Sequence, residues 1–137
     1  MMQRLSLAFL SSYSDFGLLI MRIGLGLMMI LHGWPKLAGG AETWEKLGAA
    51  MANVGVTAFP VFWGFMAAMT EVFGGLFLLL GFLTRLSSGL LAFVMLVAAL
   101  MHLDAGDGLK GAGHAIELGT VFLGLMFVGA GKYGFDA

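Results

Sequence analysis

Apolar residues run along this chain in four long stretches, and polar residues gather between them. The first stretch extends from about Phe16 to Leu31 with Arg22 as its single charge, and it meets polar ground at His32-Gly33-Trp34-Pro35-Lys36. The second opens at Phe59-Pro60, continues to about Phe82 and carries one charge, Glu71. The third runs from about Leu86 to Met101 and stops at His102, and the fourth runs from about His114 to Ala130 with Glu117 near its start. A helix needs about 20 mostly apolar residues to cross the hydrocarbon core of a bilayer. The pattern therefore predicts spans at about 16–32, 60–82, 86–102 and 114–130. These make one all-α domain over residues 1–137, a transmembrane four-helix bundle with no room for a soluble catalytic domain.

The connections carry their own signals. Residues 1–14 hold Arg4 and several Ser, and the apolar stretch Leu5 to Leu10 is short and lacks a small-residue cleavage site. An interfacial lead-in helix fits better than a signal peptide. Pro35 and Gly39-Gly40 should break the first helix. Residues 42–53 read as a short amphipathic surface helix between spans one and two, with Thr43 as its candidate N-cap. Thr84-Arg85 is a tight basic turn, and Asp104 to Gly113 a polar, Gly-rich loop. This pairing of spans puts Trp34, Trp44 and Trp63 on one side of the bilayer and Tyr13 and Tyr133 on the other, as interfacial aromatics require. The basic residues divide almost evenly, and Arg22 tips the termini towards the cytoplasm.

Composition agrees with this reading and removes other functions. The chain is 60% hydrophobic and 11% charged, with a mean hydropathy of +0.97. Soluble domains carry about 25% charged residues. A net charge of -1 gives no electrostatic footprint for nucleic acid. The absence of Cys removes disulfides, thiol redox chemistry and thiolate metal sites. Three His and a few carboxylates must carry most of any chemistry.

Ionisable groups inside the bilayer cost about 2.5 kcal/mol or more, so each should face the bundle and pair. Depth along the helices suggests that Arg22 pairs with Glu71 in the core. Ala67, Ala68, Gly74 and Gly75 beside Glu71, and Gly24 and Gly26 beside Arg22, would let the backbones approach. His32, His102, His114 and Glu117 fall where they would converge at the mouth of the bundle. Three such His suit a quinone carbonyl, a haem or a metal, and each alone also suits a plain polar cap. The single His114-x-x-Glu117 pair reverses the order seen in di-iron bundles, so no metal site is expected. A faint echo relates the two halves: spans one and three each end in His, and spans two and four each carry a Glu.

Arg22-Ile-Gly-Leu-Gly leading to His32-Gly33-Trp34-Pro35-Lys36, then Glu71-Val-Phe-Gly74-Gly75 leading to Gly81-Phe-Leu-Thr84-Arg85, resembles the DoxX family of small four-span membrane proteins. Glu117 in the last span and the tail ending in Asp136 also fit, so the likeness covers about residues 16–136. The family takes its name from a subunit of a thiosulfate:quinone oxidoreductase. The resemblance implies a multi-pass protein of a bacterial-type plasma (inner) membrane, linked to redox chemistry. The candidate residues are then Arg22, His32, Lys36, Glu71, His102, His114 and Glu117, with a quinone or similar apolar molecule preferred over haem or metal. Expected partners are the lipid bilayer, a soluble redox protein and a second copy of the chain, with no nucleic acid. A non-catalytic anchor or interaction module and a small-molecule transporter remain as alternatives.

Overall fold

A computed structural model describes residues 1–136. Among these the chain forms a short helix α1 (Met2–Leu5), a 3-10 segment (Ala8–Tyr13), the long helix α2 (Ser14–Ala38) and the short α3 (Gly40–Gly48). A second 3-10 segment (Ala49–Val54) leads to α4 (Pro60–Leu80), α5 (Thr84–Asp104) and α6 (Gly108–Val128). Helices α2, α4, α5 and α6 are each long and apolar enough to cross a membrane. The protein is a multi-pass membrane protein with a helical-bundle fold.

Three boundaries differ from the sequence reading. Helix α2 continues through Pro35 to Ala38. The Lys36 carbonyl there accepts hydrogen bonds from the Gly39 N–H (3.3 Å) and the Trp44 indole (3.1 Å), which hold the last turn together. Helix α6 starts at Gly108, six residues before the expected start of the fourth span at 114, because Asp107 accepts at its first turn and the polar Gly-rich stretch winds into helix. Thr43 does not cap the surface helix. It lies inside α3, and its hydroxyl donates back to the Gly39 carbonyl at 3.4 Å.

Glycine sets the tightest contacts. Gly26 and Gly33 are two turns apart on α2. A Cβ on Gly26 would stand 2.5 Å from the Gly75 carbonyl oxygen, and one on Gly33 would stand 2.6 Å from Glu71 Cβ. Helix α2 therefore lies directly on the backbone of α4. The surface helix α3 reaches α4 in the same way, with Gly48 against Pro60 and Gly64 against Trp44. Helices α5 and α6 form the second close pair, around Leu91, Met95, Ala112, Ala115 and Phe122. The pairs join through α4 and α5, and no Cα of α2 comes within 8 Å of one on α6. The backbones of α2 and α6 therefore stand further apart than those of the other neighbouring helices, and only side chains meet across that parting.

The end of the bundle that carries the termini is tied by charge. The Arg85 guanidinium donates to the Met126 carbonyl at 3.2 Å and to those of Phe127 and Val128, so a cation satisfies the orphan carbonyls at the end of α6. The Asp136 carboxylate reciprocates by accepting from the Leu83 and Thr84 N–H groups, both at 2.8 Å, at the start of α5. The Phe135 and Asp136 N–H groups donate to the Leu80 and Gly81 carbonyls, and the Lys132 N–H to Asp15. The Thr84-Arg85 turn and the tail are therefore structural partners.

Candidate functional site

Between the two helix pairs, at the end of the bundle opposite the termini, lies a cavity of about 530 Å³. Met29, His32 and Lys36 line it from α2, Met66, Ala67, Thr70 and Glu71 from α4, Phe93, Val94, Ala98 and His102 from α5, and His114, Ala115 and Leu118 from α6. Leu47 and Met51 close it from the surface segment. The helical spacing of these residues explains the lining: Met29, His32 and Lys36 lie about one turn apart on a single face of α2.

The polar centre is an ion pair. Lys36 Nζ donates to both Glu71 carboxylate oxygens, at 2.9 and 3.0 Å. The Glu71 side chain is 4% exposed and that of Lys36 is 36% exposed, so the acid is buried in the wall and the base reaches the open end. Across the parting between α2 and α6, the rings of His32 and His114 meet edge to face with centroids 6.1 Å apart. His102 lines the same space, and its Nδ1 stands 2.8 Å from Asp107 in the α5–α6 connection. The Trp63 indole N–H is buried in the cavity wall without a hydrogen-bond partner.

The sequence candidates separate into three groups. His32, Lys36, Glu71, His102 and His114 come together at the cavity. Arg22 does not pair with Glu71. It is fully buried two turns further along, where Nη1 donates to the Leu78 carbonyl at 3.3 Å and Nε and Nη2 lack partners. Leu78 and Glu71 are seven residues apart, about 10 Å along α4, which is why depth counted from Pro60 misled. Glu117 does not join the His residues. It is exposed on the outer face of α6, away from the cavity. Trp63 and Thr70 contribute polar groups to the wall that sequence reasoning passed over, since Trp63 read only as an interfacial aromatic. Among the described residues, no three His, Asp or Glu cluster as a metal site.

These parts define what the cavity can do. Its volume lies in the range of about 300–1,000 Å³ typical of small-molecule sites. Its polar lining consists of His32, His102, His114, Thr70, the Lys36–Glu71 pair and the unpartnered Trp63 N–H, and most of the remaining lining is Met, Phe, Leu, Val and Ala. Such a lining suits an apolar molecule that carries hydrogen-bond acceptors.

The family model DoxX matches residues 17–103 of the chain. The inner membrane protein YqjF of Escherichia coli (strain K12) is 32% identical over 125 residues, covering 89% of this chain and 91% of that protein. No solved structure matches.

Proposed function

The chain belongs to the DoxX family, and on that premise we propose that it is an inner-membrane subunit linked to redox chemistry that binds a quinone, or a similar apolar ring with carbonyl groups, in the cavity between its helix pairs. The observation that carries this reading is an apolar chamber whose lining includes His32, His114 and the unpartnered Trp63 N–H. A quinone carbonyl only accepts hydrogen bonds. His32, His114 and the Trp63 N–H supply donors to it, and Trp63 lacks any other partner. An imidazole can both donate and accept a proton, which suits His32 and His114 to pass one to a reduced ring oxygen. The Lys36–Glu71 pair fixes positive charge beside the same space and positions α2 against α4. The quinone would bring the electron chemistry, and a soluble redox partner would deliver or remove electrons.

The test is direct. Lipid extracts of the detergent-purified protein should contain quinone, and titration with a short-chain benzoquinone should saturate. His114→Phe and Glu71→Gln should weaken binding several-fold. Extracts free of quinone, together with no saturable binding, would defeat the proposal. The ion pair favours a second reading, because ionisable groups inside a bundle are usual in transporters. Flux into liposomes that disappears in Glu71→Gln, with no quinone bound, would support that reading instead.

A further inference from the structure

Of the three imidazoles that line the cavity, that of His102 alone is held through its ring by a hydrogen bond among the described residues. Its Nδ1 stands 2.8 Å from Asp107 Oδ2, and the Asp107 N–H donates to the His102 carbonyl at 3.0 Å, so the two residues are tied twice across the α5–α6 connection. The local backbone is shaped for this. Gly106 and Gly108 flank Asp107 with φ of 81° and 67°, a left-handed conformation that glycine adopts without strain. Gly111, one turn further on, leaves room for the Asp107 side chain, because a Cβ there would collide with the Asp107 Cβ.

A carboxylate only accepts hydrogen bonds, so the Nδ1 bound to Asp107 carries a proton. In the neutral ring Nε2 is then an acceptor, and it is the nitrogen left for a ligand. The other side-chain acceptors of the wall are engaged. Both Glu71 oxygens take bonds from Lys36, and the Thr70 hydroxyl is bonded to the Met66 carbonyl at 2.7 Å. The Trp63 indole and the Lys36 ammonium only donate. We propose that Asp107 is a positioning residue that sets His102 as the acceptor for a ligand hydroxyl, so that the cavity takes the hydroquinone, an aromatic ring bearing O–H groups, as well as the quinone. This rests on the cavity reading given above and adds the reduced ligand to it. A quinone carbonyl has no proton to offer Nε2. A hydroquinone O–H donates to it, and the hydroquinone oxygens still accept from the donors that would hold the quinone.

The test uses the full protein in nanodiscs at mildly alkaline pH, titrated with a short-chain benzoquinone and, without oxygen, with the matching hydroquinone. Nitrogen NMR of histidine-labelled protein, with the His102 signal assigned by its loss in His102→Phe, should show a neutral ring protonated at Nδ1. Asp107→Ala should remove that signature. It should also weaken hydroquinone binding about fivefold, the loss of one neutral hydrogen bond, and leave quinone binding nearly unchanged. Gly111→Ala, which displaces the carboxylate without removing it, should act in the same direction. Asp104→Ala removes an equal charge two residues from His102 and should change neither affinity. In a His102→Phe background, Asp107→Ala should have no further effect on either ligand. A merely structural tie would lower Tm and leave the ratio of the two affinities as in the wild type, and that result would overturn the proposal. A His102 ring that is charged, or protonated at Nε2, in the wild type would overturn it too. Quinone binding without hydroquinone binding would overturn it while the cavity reading stands, whereas binding of neither ligand would remove both.

Discussion

Lys36 Nζ grips both oxygens of Glu71, at 2.9 and 3.0 Å, across the place where Gly33 lets α2 rest on α4. The two charges differ in their access to water, with 4% of the Glu71 side chain exposed and 36% of that of Lys36. Removing one partner therefore differs from removing the other. Lys36→Met strands a buried carboxylate, and Glu71→Gln leaves an ammonium that can turn towards the open end. Lys36→Met should lower stability by about 2 kcal/mol, below the 3–5 kcal/mol of a fully buried pair because solvent reaches the Lys. Glu71→Gln should cost clearly less. Thermal unfolding of the two variants in one detergent checks the order.

Gly33→Ala tests the contact beneath that pair. The new Cβ would stand 2.6 Å from Glu71 Cβ and 3.0 Å from the Val72 nitrogen, and neither backbone can yield freely. Overpacking of this kind costs about 1–3 kcal/mol. Separating α2 from α4 should also loosen the Lys36–Glu71 grip, so Tm and benzoquinone affinity should fall together. Gly24→Ala is the control. Nothing lies within 4 Å of its Cβ, and the higher helix propensity of Ala should leave stability equal or raise it by up to about 1 kcal/mol.

The spans could be read from the sequence because a bilayer demands long uninterrupted apolar runs. The isolation of Arg22 and Glu71 in such runs marked both as inward-facing, and both are buried. Their partners were not legible. Pro35 suggested a helix end, yet the Trp44 indole and the Gly39 N–H secure the Lys36 carbonyl and carry α2 one turn further. That turn brings Lys36 to Glu71. The outward placement of Glu117 was recoverable in principle from the helical phase of Ala112, Ala115, Phe122 and Leu125, which are buried on the opposite side. The tail's role was not recoverable, since Asp136 meets the start of α5 some 52 residues away in sequence.

Filling the cavity should separate binding from folding. Ala67 lines the chamber one turn before Glu71 and is only partly buried. Ala67→Phe should therefore project its ring into open space. Benzoquinone binding should fall at least tenfold while Tm changes by no more than a few degrees. Unchanged binding in this variant would place the ligand outside the chamber.

The tail predicts a response to acid. Burial pushes the Asp136 carboxyl up, but hydrogen bonds with Thr84 and Leu83 and the positive charge of Arg22 outweigh it and hold the group below the ordinary aspartate range. A carboxylate depressed in the folded state adds stability that is fully present above its unfolded value, about 3.9, and that is lost as pH falls through the lower folded value. The strap should hold at neutral pH and release only in strong acid. Its release would free the Leu83 and Thr84 N–H groups. Leu83 has a left-handed backbone with φ of 47°, which a leucine adopts only when held. Asp136→Asn should remove this component of the acid dependence. At neutral pH it should cost about 1 kcal/mol, the usual worth of a helix cap. Hydrogen exchange at the Leu83 and Thr84 amides provides the readout: it should rise at neutral pH in Asp136→Asn, and in the wild type only below the ordinary aspartate range. If the two amides exchange equally in both proteins at neutral pH, Asp136 does not act as the cap of α5.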